Sequence, residues 1–312
     1  MRILVTGAGG FIGGHLVGRL LADGHEVTAV SRRHREQWTQ CHTAAHNVRA
    51  DISEHWTAQS MARGHDWVVH LAATIGGIGY LESRHADCTQ SVVGSSNILR
   101  AAVEADCTGV LIPSSACVYR ESVLQLSESD VRPYAPRGGY GWAKLFTEQM
   151  MYRYREQYDL QVRIPRLGTV YGPHSPIGEA EKAPIALCRK VIEAKRSGAD
   201  SIEIWGDGAQ MRTFLYIDDC VDALVRLLDS ELNTPVNIDG GELVSINVLA
   251  LLAEEFGGRK LRFNYDTGKP QGVRCRSSNT DKARALLGWS PQVPLREGLR
   301  KTYNWVESQI AN

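Results

Sequence analysis

Along the first half of the chain, short apolar runs alternate with longer stretches whose apolar residues recur at helical spacing. The runs at 3–6, 27–30, 67–71 and 110–113 read as strands, and the stretches near 11–22, 84–104 and 142–158 as helices. This alternation predicts an α/β fold, a doubly wound parallel sheet with helices on both faces. Beyond Arg166 the pattern breaks up. Tyr171-Gly172-Pro173, Trp205-Gly206-Asp207-Gly208 and Lys269-Pro270-Gln271-Gly272 punctuate shorter elements and predict a smaller C-terminal lobe over the carboxyl edge of the sheet. Residues 214–228 are apolar and read as a helix that returns to the first domain. The expected division is residues 1–165, joined by a returning segment 214–238, and a lobe over 166–312.

Composition narrows the class. Apolar residues make up 43% and charged residues 22% of 312, which suits a globular enzyme, and the formal net charge of zero argues against nucleic acid or an anionic membrane as partner. No stretch is apolar for long enough to span a bilayer. Met1-Arg2-Ile3-Leu4-Val5-Thr6-Gly7 leads straight into a strand and turn without a secretory pattern, so a cytoplasmic location is expected. Seven cysteines, odd in number and without C-x-x-C spacing, fit reduced thiols, and ten histidines show no paired ligand spacing. No metal is expected.

Between the first strand and first helix stands Gly7-Ala8-Gly9-Gly10-Phe11-Ile12-Gly13. Gly7 permits a sharp turn, Gly10 lets backbone approach a pyrophosphate, and Gly13 lets helix and strand pack closely, with phosphate on the positive end of the helix. The loop, Phe11 and Ile12 included, therefore predicts a bound nicotinamide dinucleotide. An acidic residue at the end of the second strand would hold the ribose diol of NAD; this chain has Ser31-Arg32-Arg33, which tilts the expectation toward NADP. Asp51-Ile52 is suitably sited for adenine, and Leu71-Ala72-Ala73 for the phosphates and ribose.

Tyr140 and Lys144 lie four apart, on one helical face. A phenol with a pKa of about 10 is a poor base at neutral pH; a neighbouring ammonium and an oxidised nicotinamide both favour the phenolate. Tyr140 is thus expected to take a hydroxyl proton as a sugar carbon is oxidised, with Ser115 hydrogen-bonding the same oxygen. Cys117, two residues beyond Ser115, lies at the mouth of the sheet. Beside a freshly formed ketone the adjacent C–H groups become acidic, and a thiolate can remove one. Inversion also needs a donor on the opposite face, where an ammonium would serve. Lys182, in Glu181-Lys182-Ala183-Pro184, offers one, although composition alone would leave it a surface lysine.

These motifs resemble the extended short-chain dehydrogenase/reductases, in their NAD-dependent epimerase/dehydratase group, and are most similar there to the GDP-mannose 3,5-epimerases. The resemblance runs through Leu71-Ala72-Ala73, Gly76-Gly77-Ile78-Gly79, Ser114-Ser115-Ala116-Cys117-Val118-Tyr119 and Glu181-Lys182-Ala183-Pro184. It continues through Cys188-Arg189-Lys190, Trp205 to Arg212 and Gly272-Val273-Arg274-Cys275-Arg276. It implies a Rossmann-type sheet with a sugar-nucleotide lobe, a tightly bound and recycled NAD(P), a GDP-hexose substrate and a homodimer. Cys117 and Lys182 would be the acid/base pair, and Tyr140 and Lys144 the redox pair. Gly77, Ser115, Ala116 and Cys117 would line the sugar, with Thr169, Glu181 and Ala183 nearby. Lys190, Gln210, Met211, Arg212 and Arg274 would hold the diphosphate and guanosine. Relatives carry aspartate at Ser31 and asparagine at Thr169, and Gly138-Gly139 before Tyr140 is unusual. A 4,6-dehydratase, a 4-keto-sugar reductase or a non-catalytic dinucleotide sensor would share the same scaffold.

Overall fold

The computed structural model describes residues 1–119, 125–131, 136, 138–178 and 180–311. The chain opens with β1 (Arg2–Thr6), α1 (Phe11–Ala22), β2 (Glu26–Ser31), β3 (His46–Arg49), α2 (His55–Ala62) and β4 (Trp67–His70). Next come α3 (Ile78–Ser83), α4 (His85–Thr89), α5 (Ser91–Glu104), β5 (Gly109–Leu111), β6 (Ser114–Ser115), α6 (Gly138–Tyr158) and β7 (Gln161–Arg163). One parallel sheet orders six of these strands β3-β2-β1-β4-β5-β7, the doubly wound arrangement in which strand order reverses between β1 and β4.

Successive side chains of a strand face opposite sides, so a strand covered twice must be apolar throughout. In β1, Ile3 and Val5 join the core that holds Leu16, Val17 and Leu20 of α1, while Leu4 joins the one that holds Ile98 and Leu99 of α5. Each of these side chains contributes ~1.5–3 kcal/mol of burial, so a polar residue at Leu4 would outweigh any surface improvement nearby.

The remaining elements are β8 (Pro165–Leu167), β9 (Thr169–Tyr171), α7 (Ala183–Ser197), β10 (Ser201–Trp205), β11 (Met211–Tyr216), α8 (Ile217–Asp229) and β12 (Val236–Ile238). After them follow β13 (Leu243–Ser245), α9 (Ile246–Gly257), β14 (Arg262–Asp266), β15 (Cys275–Arg276), α10 (Asp281–Leu287) and α11 (Leu295–Ile310). Here β6, β8 and β12 form a second parallel sheet, β11 pairs with β9, β13 and β15, and β10 pairs with β14. Helix α8 packs back on α1, where Arg19 meets Asp222 at 3.7 Å. No helix among the described residues is long and apolar enough to cross a membrane.

Three expectations change. The stretch 84–104 is two helices, α4 and α5, meeting at Gln90. The run 110–113 stops as a strand at Leu111: Pro113 has no N–H for the ladder, and the chain steps to β6 in the second sheet. Residues 214–216 are strand, not helix; Phe214, Leu215 and Tyr216 pair with Thr169, Val170 and Tyr171, and the helix begins at Ile217. A short apolar run carries no period that separates strand from helix.

Candidate active site

The carboxyl ends of the parallel strands and segments of the C-terminal half between Leu167 and Arg276 enclose a cavity of about 1210 Å³. That exceeds the ~300–1,000 Å³ of a single small-molecule pocket and leaves room for two nucleotides. Gly7, Gly10, Phe11, Ile12, Gly13, Ser31, Arg32, Arg33, Asp51, Ile52 and Leu71 to Ala73 all line it.

The glycine loop fits a dinucleotide. Gly7 has φ +72°, and a β-carbon there would sit 2.6 Å from the Ala72 nitrogen, so only glycine allows the loop to lie against β4's exit. Helix α1 starts without a side-chain cap or an acidic residue in its first turn, leaving its positive end open for phosphate. Asp51 lies in the same cavity, but its carboxylate accepts from the Ser53 N–H at 3.0 Å and the Ser53 hydroxyl at 2.8 Å. Those bonds hold it below the usual carboxylate range.

Helix α6 carries the Tyr/Lys pair into the opposite side of the cleft. Lys144 donates to the Pro113 carbonyl at 2.8 Å, and its Nζ lies 5.8 Å from the Tyr140 ring centre. Burial lowers Lys144 to about 8, against the pull of Glu148. Tyr140 is buried as well, and burial pushes its hydroxyl upward, reinforced by Cys117 and opposed by Ser115. Lysine alone therefore does not ready this phenol, which leaves the positive nicotinamide, the other half of the sequence expectation, as the group that would favour the phenolate.

Ser115 closes β6 and accepts from the Cys117 N–H at 3.1 Å, which fixes the thiol over the cavity. Cys117 is half-buried. Lys182, the residue before α7, also lines the cavity and is half-buried, so it is not a free surface lysine. Crowding by surrounding atoms lowers its pKa, while Cys117 and Cys220 act in the opposite direction. Sulfur and amine thus lie within electrostatic reach of one another.

Glu181 lines the cavity too, but its carboxylate is engaged by the Arg189 guanidinium at 2.6–3.2 Å and by the Gly178 N–H at 3.2 Å. These bonds tie the residue before Lys182 to α7 and to the Gly178 turn. Gly77, Ala116, Thr169, Ala183, Lys190, Gln210 and Arg212 line the same space. Lys190 reaches the Glu203 carbonyl at 2.8 Å, and burial beside Arg276 lowers Arg212 to about 10.

Two residues expected at the nucleotide, Met211 and Arg274, lie outside the cavity lining. Met211 pairs with Cys275 one position before the inward Arg212, and Arg274 turns outward to Asp207 at 2.6 Å. Arg276, the register partner of Arg212, takes the inward position and brings its Nη1 to 3.3 Å from Cys117 Sγ. His85 of α4 also lines the cavity. Arg276 belongs to the Gly272-Val273-Arg274-Cys275-Arg276 motif, but which of its two arginines faces inward depends on the pairing of β15 with β11.

The profile of the NAD dependent epimerase/dehydratase family matches residues 3–239. A GDP-mannose 3,5-epimerase 1 from Oryza sativa subsp. japonica is 37% identical, over 99% of this chain and 82% of that protein. A dTDP-4-dehydro-6-deoxy-D-allose reductase from Streptomyces sp is 33% identical, over 97% of this chain and 95% of that one. Among solved structures, the UDP-glucuronic acid 4-epimerase from Bacillus cereus, in complex with UDP-glucuronic acid and NAD, superposes with TM-score 0.88. It is 28% identical and the match covers 99% of this chain and 100% of that one. The chain belongs to the NAD-dependent epimerase/dehydratase family.

Proposed function

We propose that the protein is a 3,5-inverting sugar-nucleotide epimerase acting on a GDP-hexose such as GDP-mannose. The observation that carries this reading is that Cys117 and Lys182 face one cavity together with Ser115, Tyr140 and Lys144. When bound, the dinucleotide supplies reversible oxidation of the sugar C4 carbinol and is regenerated in the cycle. Tyr140 accepts the C4 hydroxyl proton and Ser115 holds that oxygen. Cys117 then removes a proton from carbon beside the ketone, and Lys182 returns one on the other face. A lysine with a lowered pKa parts with its proton more readily, which suits a donor near neutral pH. Lys190, Gln210 and Arg212 would hold the diphosphate and guanosine.

A 4-keto-sugar reductase is the second reading, favoured by the 33% identical reductase relative. Incubating the protein with GDP-mannose in deuterated buffer and reading the product by NMR separates the two. Deuterium at C5, or at C5 and C3, without net consumption of nicotinamide supports the epimerase. Stoichiometric oxidation of added NADPH when a nucleotide 4-keto-sugar is supplied, with no exchange at carbon in GDP-mannose, sinks it.

NADP is the cofactor we favour over NAD. Strand β2 ends at Ser31 with no carboxylate, and the exposed Arg32 and Arg33 follow it. Arg33 reaches across the glycine loop, its Nη2 3.9 Å from where a Gly10 β-carbon would stand. Arg49, the register partner of Ser31 on β3, adds a further cation. The dinucleotide released on denaturing the purified protein is expected to be NADP(H); NAD(H) alone would overturn this choice, and Ser31→Asp with Arg33→Ala should reverse it.

We further propose residues 1–165 with 214–238 as the dinucleotide domain and 166–312 as the sugar-nucleotide lobe, which the packing of α8 on α1 supports. A homodimer through α5 and α6 is supported by exposed Val93, Trp142 and Phe146, the last two four apart on one helical face. Seven free thiols support a reducing, cytoplasmic setting.

A further inference from the structure

Gly138 and Gly139 stand directly before Tyr140, and neither the redox chemistry nor the dinucleotide calls for them. Both lie against one residue of α4. Gly139 donates its N–H to Nδ1 of His85 at 3.2 Å. Gly138 has φ +73°, and a β-carbon on it would come within 2.8 Å of the His85 ring; one on Gly139 would overlap the His85 carbonyl. On the far side of the same turn, a β-carbon on Gly141 would meet the Cys117 carbonyl at 2.5 Å. Tyr140 thus sits in a turn of glycines gripped by backbone from two directions.

Glycines weaken a helix start, and such a start ordinarily takes its cap from Ser, Thr, Asp or Asn at the boundary. Here an imidazole from another helix supplies the acceptor. The segment that carries it also touches the other side of the chemistry, because a β-carbon on Gly77, just before α3, would overlap the carbonyl of Glu181. One short stretch, residues 77–85, therefore abuts the residue preceding Lys182 at one end and the residue preceding Tyr140 at the other.

We propose that His85 is a positioning residue: by accepting the Gly139 N–H through Nδ1 it fixes the first turn of α6 and so aims the Tyr140 hydroxyl. The inference rests on the function proposed above. His85 also lines the cavity, so the rival role is direct contact of its Nε2 with a ligand. The two are separable by shape, because an asparagine oxygen stands near Nδ1 and a glutamine amide near Nε2.

The test compares His85→Ala, His85→Asn and His85→Gln for GDP-mannose turnover, melting temperature and backbone hydrogen exchange across residues 138–144. Misplacing a reacting group by a fraction of an ångström lowers rate and leaves affinity. His85→Ala should lose about 10-fold in kcat with KM within about twofold, and show a larger isotope effect with substrate deuterated at C4. His85→Asn should restore kcat and His85→Gln should not, with all three melting near the parent. A fully active His85→Ala, or rescue by glutamine as good as by asparagine, overturns the assignment. Hydrogen exchange needs no substrate: faster exchange in the Ala and Gln variants but not in Asn supports it, and unchanged exchange in His85→Ala overturns it. Absence of GDP-hexose turnover in the parent chain would instead remove the proposed function.

Discussion

On the sheet side of the cavity the functional side chains are held by backbone. Gly7 lies against Ala72, Tyr140 sits in a glycine turn, and Ser115 is paired with Leu167 across a ladder. On the lobe side the holders are side chains that grip carbonyls and carboxylates. Arg189 clasps Glu181 beside Lys182, and Arg212 donates to the carbonyls of Met211, Gln271 and Val273. Ladder bonds are shared over many residues, whereas a guanidinium fork depends on one. The lobe side is therefore where a few substitutions can alter the cavity without unfolding the parallel sheet.

The largest effect is expected where the two sides meet. Cys117→Ser or Lys182→Ala should lower epimerisation by about 10²–10⁴-fold, the usual contribution of a positioned acid or base. The dinucleotide released on denaturation should stay at the parent level. If either variant keeps near-normal turnover, that residue has no part in the proton exchange.

Next comes the place where the sheet side departs from the rule. Arg166 of β8 meets Glu148 of α6 through two short bonds, 2.7 and 2.9 Å, at 4% and 2% side-chain exposure. Removing one charge of a buried pair leaves the other uncompensated, at a cost of ~3–5 kcal/mol. Glu148→Gln should lose stability on that scale in urea titrations. A loss no larger than for an exposed pair would mean that this ion pair does not help to hold the sheet side together.

A smaller effect follows from His70, which closes β4 and meets the Thr6 hydroxyl at 2.7 Å. Burial, helped by Lys144, lowers its pKa to about 3, so the folded protein keeps it neutral. An unfolded imidazole titrates near 6.5, and between the two values only the unfolded chain binds the proton. Stability from this residue is complete above the unfolded value and is lost as pH falls toward the folded one, by roughly 2–3 kcal/mol at about pH 4.5. Urea midpoints of the parent and His70→Asn at neutral and acid pH should diverge, with the variant less acid-sensitive; parallel slopes would refute the buried neutral ring.

Much of the architecture was legible because its signals are local. The apolar run of β1, the glycine loop and the start of α1 form one uninterrupted pattern, and alternation of strands with helices pointed to a parallel sheet. The break at Gln90 and the strand at 214–216 escaped because apolar spacing continues through both. The burial of Lys182 was invisible for another reason: it depends on α7 docking beside a cysteine 65 positions earlier in the chain. The burial of Tyr140 was not legible from spacing, because desolvation depends on what covers a side chain and not on its neighbours in sequence.

The smallest effect is the sharpest test of the contrast between the two sides. Arg274 and Arg276 share one motif, yet Arg274 pairs with Asp207 at the surface, at 65% and 45% exposure, while Arg276 reaches Cys117. An exposed pair is worth about 0–1 kcal/mol, so Arg274→Gln should change kcat/KM by less than about fivefold and leave the melting temperature nearly unmoved. Arg276→Gln removes a fixed positive charge from beside the sulfur, and a charged hydrogen bond of ~1.5–3 kcal/mol corresponds to a loss of roughly 10- to 150-fold in kcat/KM. Steady-state kinetics on the two variants decides which arginine serves the site. Equal losses would mean that Arg274 swings inward when substrate binds, and the lobe side would then be assembled by its ligand.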